Sequence, residues 1–258
     1  MSPTAVRTFD VDALHVQVYS DPDRLAQAAA SQVIDHLQYT LQQQATATVV
    51  FATGRSQLGL LRQLCQDTTV DWSRVIGLHL DEFLGLNRDH PASFGYYLDQ
   101  HLARWLPLRS FHYLRGDAPK PMAECDRYTG LLTQTPIDLC LLGVGNNGHL
   151  AFNDPAVADF NDPLWVKLVR LDDINRQQQL ASDHFSELRD VPTYGITLTL
   201  SAIVNARHTV CCLFGAHKHD ILTTLLSAPP SSACPASILR LKGAKNYLFT
   251  DTCTLVPS

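Results

Sequence analysis

Leu14-His-Val-Gln-Val-Tyr19 alternates apolar and polar side chains, the pattern of a half-buried strand. Asp21 and Pro22 then supply a helix cap and a proline at the first helical position. Leu25, Ala29, Val33, Ile34, Leu37 and Leu41 recur at helical spacing to about residue 44. An apolar run predicts a strand over 48–52, followed by a Thr-Gly-Arg-Ser loop and a helix to about 66. A second apolar run predicts a strand over 75–80, ended by what reads as an acidic loop at Asp81-Glu82. Further on the pattern predicts a helix over 93–106, a short strand over 111–114, a helix over 122–134 and a strand over 137–142. The stretch 166–171 reads as extended, and so does 194–199, which leads into a short helix with Leu200, Ile203 and Val204. A strand over 208–214, a helix over 216–226, a loop at 227–233, a helical turn at 235–241 and a last strand over 246–250 complete the chain.

Strands that alternate with helices imply crossover units, and so an α/β fold with a mostly parallel sheet flanked by helices. There is no repeat, low-complexity tract or dividing linker, so residues 1–258 are expected to form a single domain. Residues 154–190 are the least regular part, with the polar run Asp172-Asp-Ile-Asn-Arg-Gln-Gln-Gln179. They read either as a lid over a ligand or as an ordinary surface excursion.

The net charge of -5 is spread along the chain without a basic patch, which argues against nucleic acid as a partner. The seven cysteines are odd in number and scattered, with no Cys-x-x-Cys pair, so neither a disulfide framework nor a zinc knuckle is expected. Reduced thiols in a cytoplasmic protein are the simplest account. No apolar run approaches the ~18 residues of a membrane helix, and the start, Met-Ser-Pro-Thr-Ala-Val-Arg, lacks the apolar region of a secretory signal.

Three segments carry candidate chemistry. In the first, the strand over 137–142 breaks into a turn with Gly143, Gly145 and Gly148, followed by His149 and, five residues on, Asp154. Open α/β sheets keep small-ligand sites at such strand ends, and a His beside a carboxylate is an acid/base group with a fixed tautomer. A plain connecting turn would carry the same glycines. In the second, Asp81 and Glu82 lie at a strand end, and because neighbouring side chains point to opposite faces only one of them enters a pocket easily. The alternative there is a solvated loop near a helix cap. In the third, Thr53, Gly54, Arg55 and Ser56 stand between a strand and a helix, where backbone N–H groups and hydroxyls make an anion site. The spacing matches neither a nucleotide P-loop nor the dinucleotide fingerprint, so a phosphate monoester fits better than a nucleotide, beside the simpler possibility of a capping turn. His79, His90, His112, His217 and His219 read as structural or surface residues, Trp72, Trp105 and Trp165 as core or rim, and Cys211 and Cys212 as inert strand residues.

Taken together, Ala52-Thr-Gly-Arg-Ser56, His79-Leu-Asp-Glu-Phe-Leu-Gly85 with His90-Pro-Ala-Ser-Phe94, and Gly143-Val-Gly-Asn-Asn-Gly-His-Leu-Ala-Phe-Asn-Asp-Pro155 resemble the glucosamine-6-phosphate deaminase/isomerase family. Later stretches are similar too, among them Leu171-Asp-Asp-Ile-Asn-Arg176, Val191-Pro-Thr-Tyr-Gly-Ile-Thr197, Gly215-Ala-His-Lys218 and Pro235-Ala-Ser-Ile-Leu239. The resemblance implies a three-layer Rossmann-like domain that turns an aldose 2-amino sugar phosphate into the ketose phosphate and ammonia, without cofactor or metal. It implies that Asp81 moves the proton between C2 and C1, that His149 opens the sugar ring, and that Asp154 orients His149. Arg176, Lys218 and the loop of Thr53, Gly54, Arg55 and Ser56, with Gly143 beside it, would hold the phosphate. The implied partner is a small amino sugar phosphate, and the protein would be a monomer or a homo-oligomer.

The chain departs from the family at several points. Asn147 stands where many members have Asp, so the second acid of the ring-opening set is missing. Asp154 replaces the more usual Glu and is one methylene shorter, and Arg55 adds a cation to the phosphate loop. The segment after Pro155 does not resemble the allosteric section of regulated members, and the tail from Thr252 to Ser258 is short, so activation by an N-acetyl sugar phosphate is not expected. Asn147 and Asp154 keep open a sugar-phosphate-binding sensor with little turnover. The related 6-phosphogluconolactonase-type hydrolases usually show Asp-Glu-Arg and Asp-Gly-His-Thr-Ala-Ser, whereas Phe83 and Leu150-Ala-Phe-Asn stand in those places here. Glucosamine and galactosamine phosphates are not separated by these residues, nor is the physiological direction.

Overall fold

The computed structural model describes residues 3–180, 184–241 and 245–255. Residues 1–2 of the expected leaderless start, 181–183 of the irregular stretch and 256–258 of the short tail lie outside them.

The main sheet has eight strands: β1 (Arg7–Val11), β2 (Leu14–Tyr19), β3 (Ala47–Phe51), β4 (Val75–His79), β6 (Ser110–His112), β7 (Leu139–Gly143), β10 (His208–Cys212) and β11 (Lys245–Asp251), in the order β1-β2-β11-β10-β7-β3-β4-β6. Only the β1–β2 hairpin is antiparallel; every other pairing in this sheet is parallel. All five residues of β3 are buried, as expected of a strand covered on both faces. One face packs on α1 (Pro22–Gln43) and α2 (Arg55–Gln66) through residues such as Val49, Phe51, Leu37 and Leu61. The other packs on α4 (Pro121–Gln134), α6 (Leu200–Val204) and α7 (His219–Ser227) through Val50, Tyr128, Ile203 and Leu222. The expected three-layer α/β architecture is therefore present, and Asp21 caps α1 as its sequence position predicts, accepting from the Arg24 N–H.

The strand order reverses direction at β3 and β7. From β3 the chain adds β4 and β6 on one side, and from β7 it adds β10 and β11 on the other. A crevice opens outside the carboxyl ends of two such strands, because their connections leave toward opposite faces. The Thr53–Ser56 loop and the Gly143–Gly148 turn both leave at this point.

The structure departs from the expected elements in several places. The acidic loop at Asp81-Glu82 is a strand, β5 (Asp81–Phe83). The 166–171 and 194–199 stretches are extended as expected, as β8 (Val166–Arg170) and β9 (Tyr194–Leu198), and lie outside the main sheet. These three strands form a separate antiparallel sheet in the order β5-β9-β8, between a small core of Phe83, Phe152, Val169, Leu171 and Val191 and the large core, which takes Val166, Ile196 and Leu198. The helix over 93–106 is a short α3 (Phe94–Leu98) followed by a wider π-helical turn, Asp99–Ala103. The irregular 154–190 stretch contains a helix, α5 (Asp173–Leu180), and β1 was not expected at all.

Candidate active site

Asp81 and Glu82 separate as the pleat requires. Glu82 turns toward the start of α3, where its carboxylate accepts from the N–H groups of Phe83, Phe94 and Gly95 and from the Ser93 hydroxyl, at 2.7–3.1 Å. Burial still pushes its carboxyl up despite those four donors. Glu82 is thus the helix anchor, and Asp81 is the acid left for a pocket. Asp81 is 7% exposed, and among the described residues its carboxylate accepts no hydrogen bond. Burial above all, then the charges of Glu82 and Asp154, raises its carboxyl well above the usual range. A buried carboxylate without donors is a strong proton acceptor once it is charged.

The glycine turn places His149. A Cβ on Gly145 would overlap the His149 imidazole, so the ring lies flat against that backbone. After His149 the chain folds back tightly. Ala151 takes a left-handed conformation (φ 51°), and the Asn153 N–H donates to the Leu150 carbonyl at 3.0 Å. This turn brings Asp154 beneath the ring, with Oδ1 3.1 Å from Nδ1. The Asp side chain therefore reaches His149 despite its shorter length. Nδ1 is also 2.7 Å from Oδ1 of Asn147. Both neighbours are acceptors, so Nδ1 carries the proton and Nε2 is left for a ligand. Burial acts to raise the Asp154 carboxyl, but the bonds from His149, Asn147 and the Asp172 N–H outweigh it and hold the group below the usual range.

The phosphate-loop residues lie at the neighbouring strand end. Gly54 (φ 93°) precedes α2, and its carbonyl accepts from the Tyr97 hydroxyl at 2.9 Å. Ser56 lies against Gly143, where a Cβ would meet its Oγ at 2.6 Å. Gln57 braces the pair, donating to Ser56 Oγ and to the Leu142 carbonyl. Arg55 is exposed and interacts with other residues. Lys218 crosses from a short turn before α7 to the glycine turn, donating to the Val144 carbonyl at 2.8 Å and Asn146 Oδ1 at 2.6 Å. Burial lowers its ammonium to about 8. Arg176, on α5, is already engaged: Nη2 donates to the carbonyls of Leu188 and Val191, and Nη1 pairs with Asp173 at 3.2 Å. Its Nε is buried and has no partner among the described residues.

The structure thus brings Asn147, His149 and Asp154 into direct contact, with the Asp154 charge felt at Asp81, and joins Ser56 to Gly143 and Lys218 to the turn. Arg176 meets none of these by hydrogen bond, although α5 does: Gln178 accepts from the Asn146 N–H at 2.9 Å. Sequence reasoning missed Asp172 and Asn175, which bind Asn147 and Asp154. The only signal was a polar run, which reads equally well as solvated surface. His79, expected to be structural, is buried and accepts from the Leu114 N–H through Nε2.

Residues 20–248 match the family described as glucosamine-6-phosphate isomerases/6-phosphogluconolactonase. Glucosamine-6-phosphate deaminases from Bacillus thuringiensis (strain Al Hakam) and Bacillus anthracis (strain A0248) are each 33% identical over 227 residues, covering 88% of this chain and 83% of the relative. Among solved structures, a monomeric glucosamine-6-phosphate deaminase superposes with a TM-score of 0.83 at 26% identity, covering 93% of this chain and 98% of that one. A 6-phosphogluconolactonase from Thermotoga maritima, 20% identical with a TM-score of 0.73 over 92% of this chain and 99% of that one, shares the fold. The chain belongs to the glucosamine-6-phosphate isomerase/6-phosphogluconolactonase family.

Proposed function

We propose that this protein is a glucosamine-6-phosphate deaminase, which converts glucosamine 6-phosphate and water to fructose 6-phosphate and ammonia. The observation that carries the reading is Asp81, a buried carboxylate free of hydrogen bonds among the described residues, in the same site as a His149 whose Nδ1 is tied to Asp154 and Asn147. His149 moves the proton between the ring oxygen and the C1 hydroxyl, which gives the open-chain aldehyde. Asp81 takes the C2 proton and returns it to C1. The double bond moves from C1–O to C2–N, water adds to the C2 imine, and ammonia leaves. General acid/base help of this kind contributes about 10²–10⁴-fold.

The phosphate binds at the amino end of α2, against the N–H groups and hydroxyls of Thr53, Gly54, Arg55 and Ser56, with Lys218 as the point charge. Gly143 leaves room for Ser56, and the unpartnered Arg176 Nε–H is a donor that phosphate would satisfy. Anchoring this distant group converts binding energy into orientation at C1 and C2. In this reading residues 1–258 are a single domain that acts in the cytoplasm without cofactor or metal. Among the described residues no helix is long and apolar enough to cross a membrane.

The test is production of ammonia and fructose 6-phosphate from glucosamine 6-phosphate by the wild type beside Asp81→Asn and His149→Gln. Turnover that is lost in the first variant and strongly reduced in the second is expected. Sugar-phosphate binding without ammonia release would replace the enzyme with a sensor, and hydrolysis of 6-phosphogluconolactone instead would move it to the other branch of the family.

A further inference from the structure

The Asn147 amide is fully used. Its Oδ1 accepts from the His149 backbone N–H at 3.1 Å and faces Nδ1 of the same residue at 2.7 Å. One Nδ2 hydrogen goes to Asp154 Oδ1 at 3.1 Å, and the other goes to Asp172 Oδ2 at 2.8 Å. Two carboxylates therefore fix which end of the amide faces the imidazole, because a flipped amide would set its oxygen against both anions. Asp172 is held in turn: its Oδ1 accepts from the Asn175 N–H at 2.7 Å, and its own N–H donates to Asp154 Oδ2 at 3.2 Å. Asn175 closes the circuit with Nδ2 3.1 Å from Asp154 Oδ1.

We propose that Asp172 is a positioning residue for His149 that acts through the Asn147 amide, so that the acid absent from position 147 is supplied one hydrogen bond further out. This rests on the deaminase reading for its kinetic consequence only. It also makes Asn147 specific as an amide: Asp at 147 would press a third carboxylate between Asp154 and Asp172.

Asp172→Ser tests the role, because serine keeps a cap for the Asn175 N–H but is too short to reach Asn147. Two readouts are taken on the full chain. The first is solvent exchange of the Asn147 side-chain amide by nitrogen NMR, assigned by its loss in Asn147→Asp. The second is the kinetic split on glucosamine 6-phosphate. In Asp172→Ser, faster Asn147 amide exchange is expected, with kcat lower by about tenfold, as for loss of one charge-assisted hydrogen bond, and KM within about twofold. Asn147→Asp is expected to lower kcat more. The double variant Asn147→Asp/Asp172→Asn is expected to recover part of it, since the amide then stands on the other side of the pair and supplies the donor. Unchanged exchange, unchanged kcat in Asp172→Ser, or full activity in Asn147→Asp would each overturn the proposal. A wild type that releases no ammonia fails the deaminase reading instead, and the exchange measurement still decides whether Asp172 holds the amide.

Discussion

Asp81 is held where its charge is least welcome, and stability and function therefore pull apart at this residue. Its folded-state carboxyl is raised by burial and by Glu82 and Asp154, so as pH rises the unfolded chain loses this proton first. Between the two pKa values the native state binds more protons, stability falls with rising pH, and above the folded value the full cost of the buried charge remains. Asp81→Asn removes that cost. The variant is expected to melt above the wild type at pH 7 in calorimetry while turnover drops about 10²–10⁴-fold. A lower melting temperature would show that the charge has a stabilising partner. Lys218 titrates in the opposite sense. Burial lowers it to about 8, so its charge fades above that pH and KM for the sugar phosphate is expected to rise there. Lys218→Met should raise KM about 10–100-fold at pH 7, and a KM flat to about pH 10 in the wild type, near the ordinary lysine value, would remove Lys218 from phosphate binding. Asp81, His149 and Lys218 were legible as candidates only from the segments taken together, because each alone reads as well as a connecting turn or a loop near a helix cap, the use to which Glu82 is in fact put. The pairing of His149 with Asp154 was expected too, and the structure makes it at 3.1 Å; the left-handed Ala151 that closes the turn was not legible, since no residue preference announces it.

At the scale of elements, the strand–turn junction of β7 would, under the proposed function, separate phosphate binding from proton transfer by two residues. A Cβ on Gly143 meets the hydroxyl of Ser56 in the phosphate loop, and one on Gly145 meets the ring of His149. Steady-state kinetics should therefore split the two variants: Gly143→Ala raises KM with kcat nearly kept, and Gly145→Ala lowers kcat with KM nearly kept. The same pattern in both would mean that the turn moves as one body. Nearby, Glu82 accepts four hydrogen bonds at the head of α3, of which a glutamine can accept only those reaching its oxygen. Glu82→Gln is expected to cost ~2–3 kcal/mol, or about 4–12 °C in melting temperature. Long helices such as α1 were legible because their apolar spacing repeats over several turns. β5 was not: a three-residue strand offers no period, and two of its residues are acids. The partner choice of β8 and β9 was equally hidden, because alternation states that a residue pairs but not with which sheet.

Across the whole molecule, the site joins two bodies of unequal solidity. The glycine turn, the phosphate loop and Lys218 rest on the main sheet, whose two faces are each covered by helices and by a large apolar cluster. Asp81 rests on the β5-β9-β8 sheet, which covers the small cluster of Phe83, Phe152, Val169, Leu171 and Val191 on one side and meets the large cluster through Val166, Ile196 and Leu198 on the other, and α5 with Asn175 packs on the side of the small cluster. The free energy of local opening grows with the apolar surface that opening exposes, so this three-stranded sheet, with only part of its apolar surface in the large core, should open before the eight-stranded one. Native-state hydrogen exchange is expected to show β8 and β9 exchanging faster than β3, β7 and β10 in the free protein. Phe152 bridges the bodies, since it sits between Phe83 and Phe94 in a chain segment that runs directly from His149 to Asp154. Phe152→Ala should cost ~3–5 kcal/mol and release the small sheet further. A sugar phosphate bound as proposed, from the α2 amino end to Asp81, would touch both regions and so favour the ordered small sheet. Saturating glucosamine 6-phosphate should then slow exchange in β8 and β9 by more than in β3 or β7. Equal protection everywhere would mean that the ligand sees one rigid site, and the small sheet would be scaffold without a part in closing over the sugar.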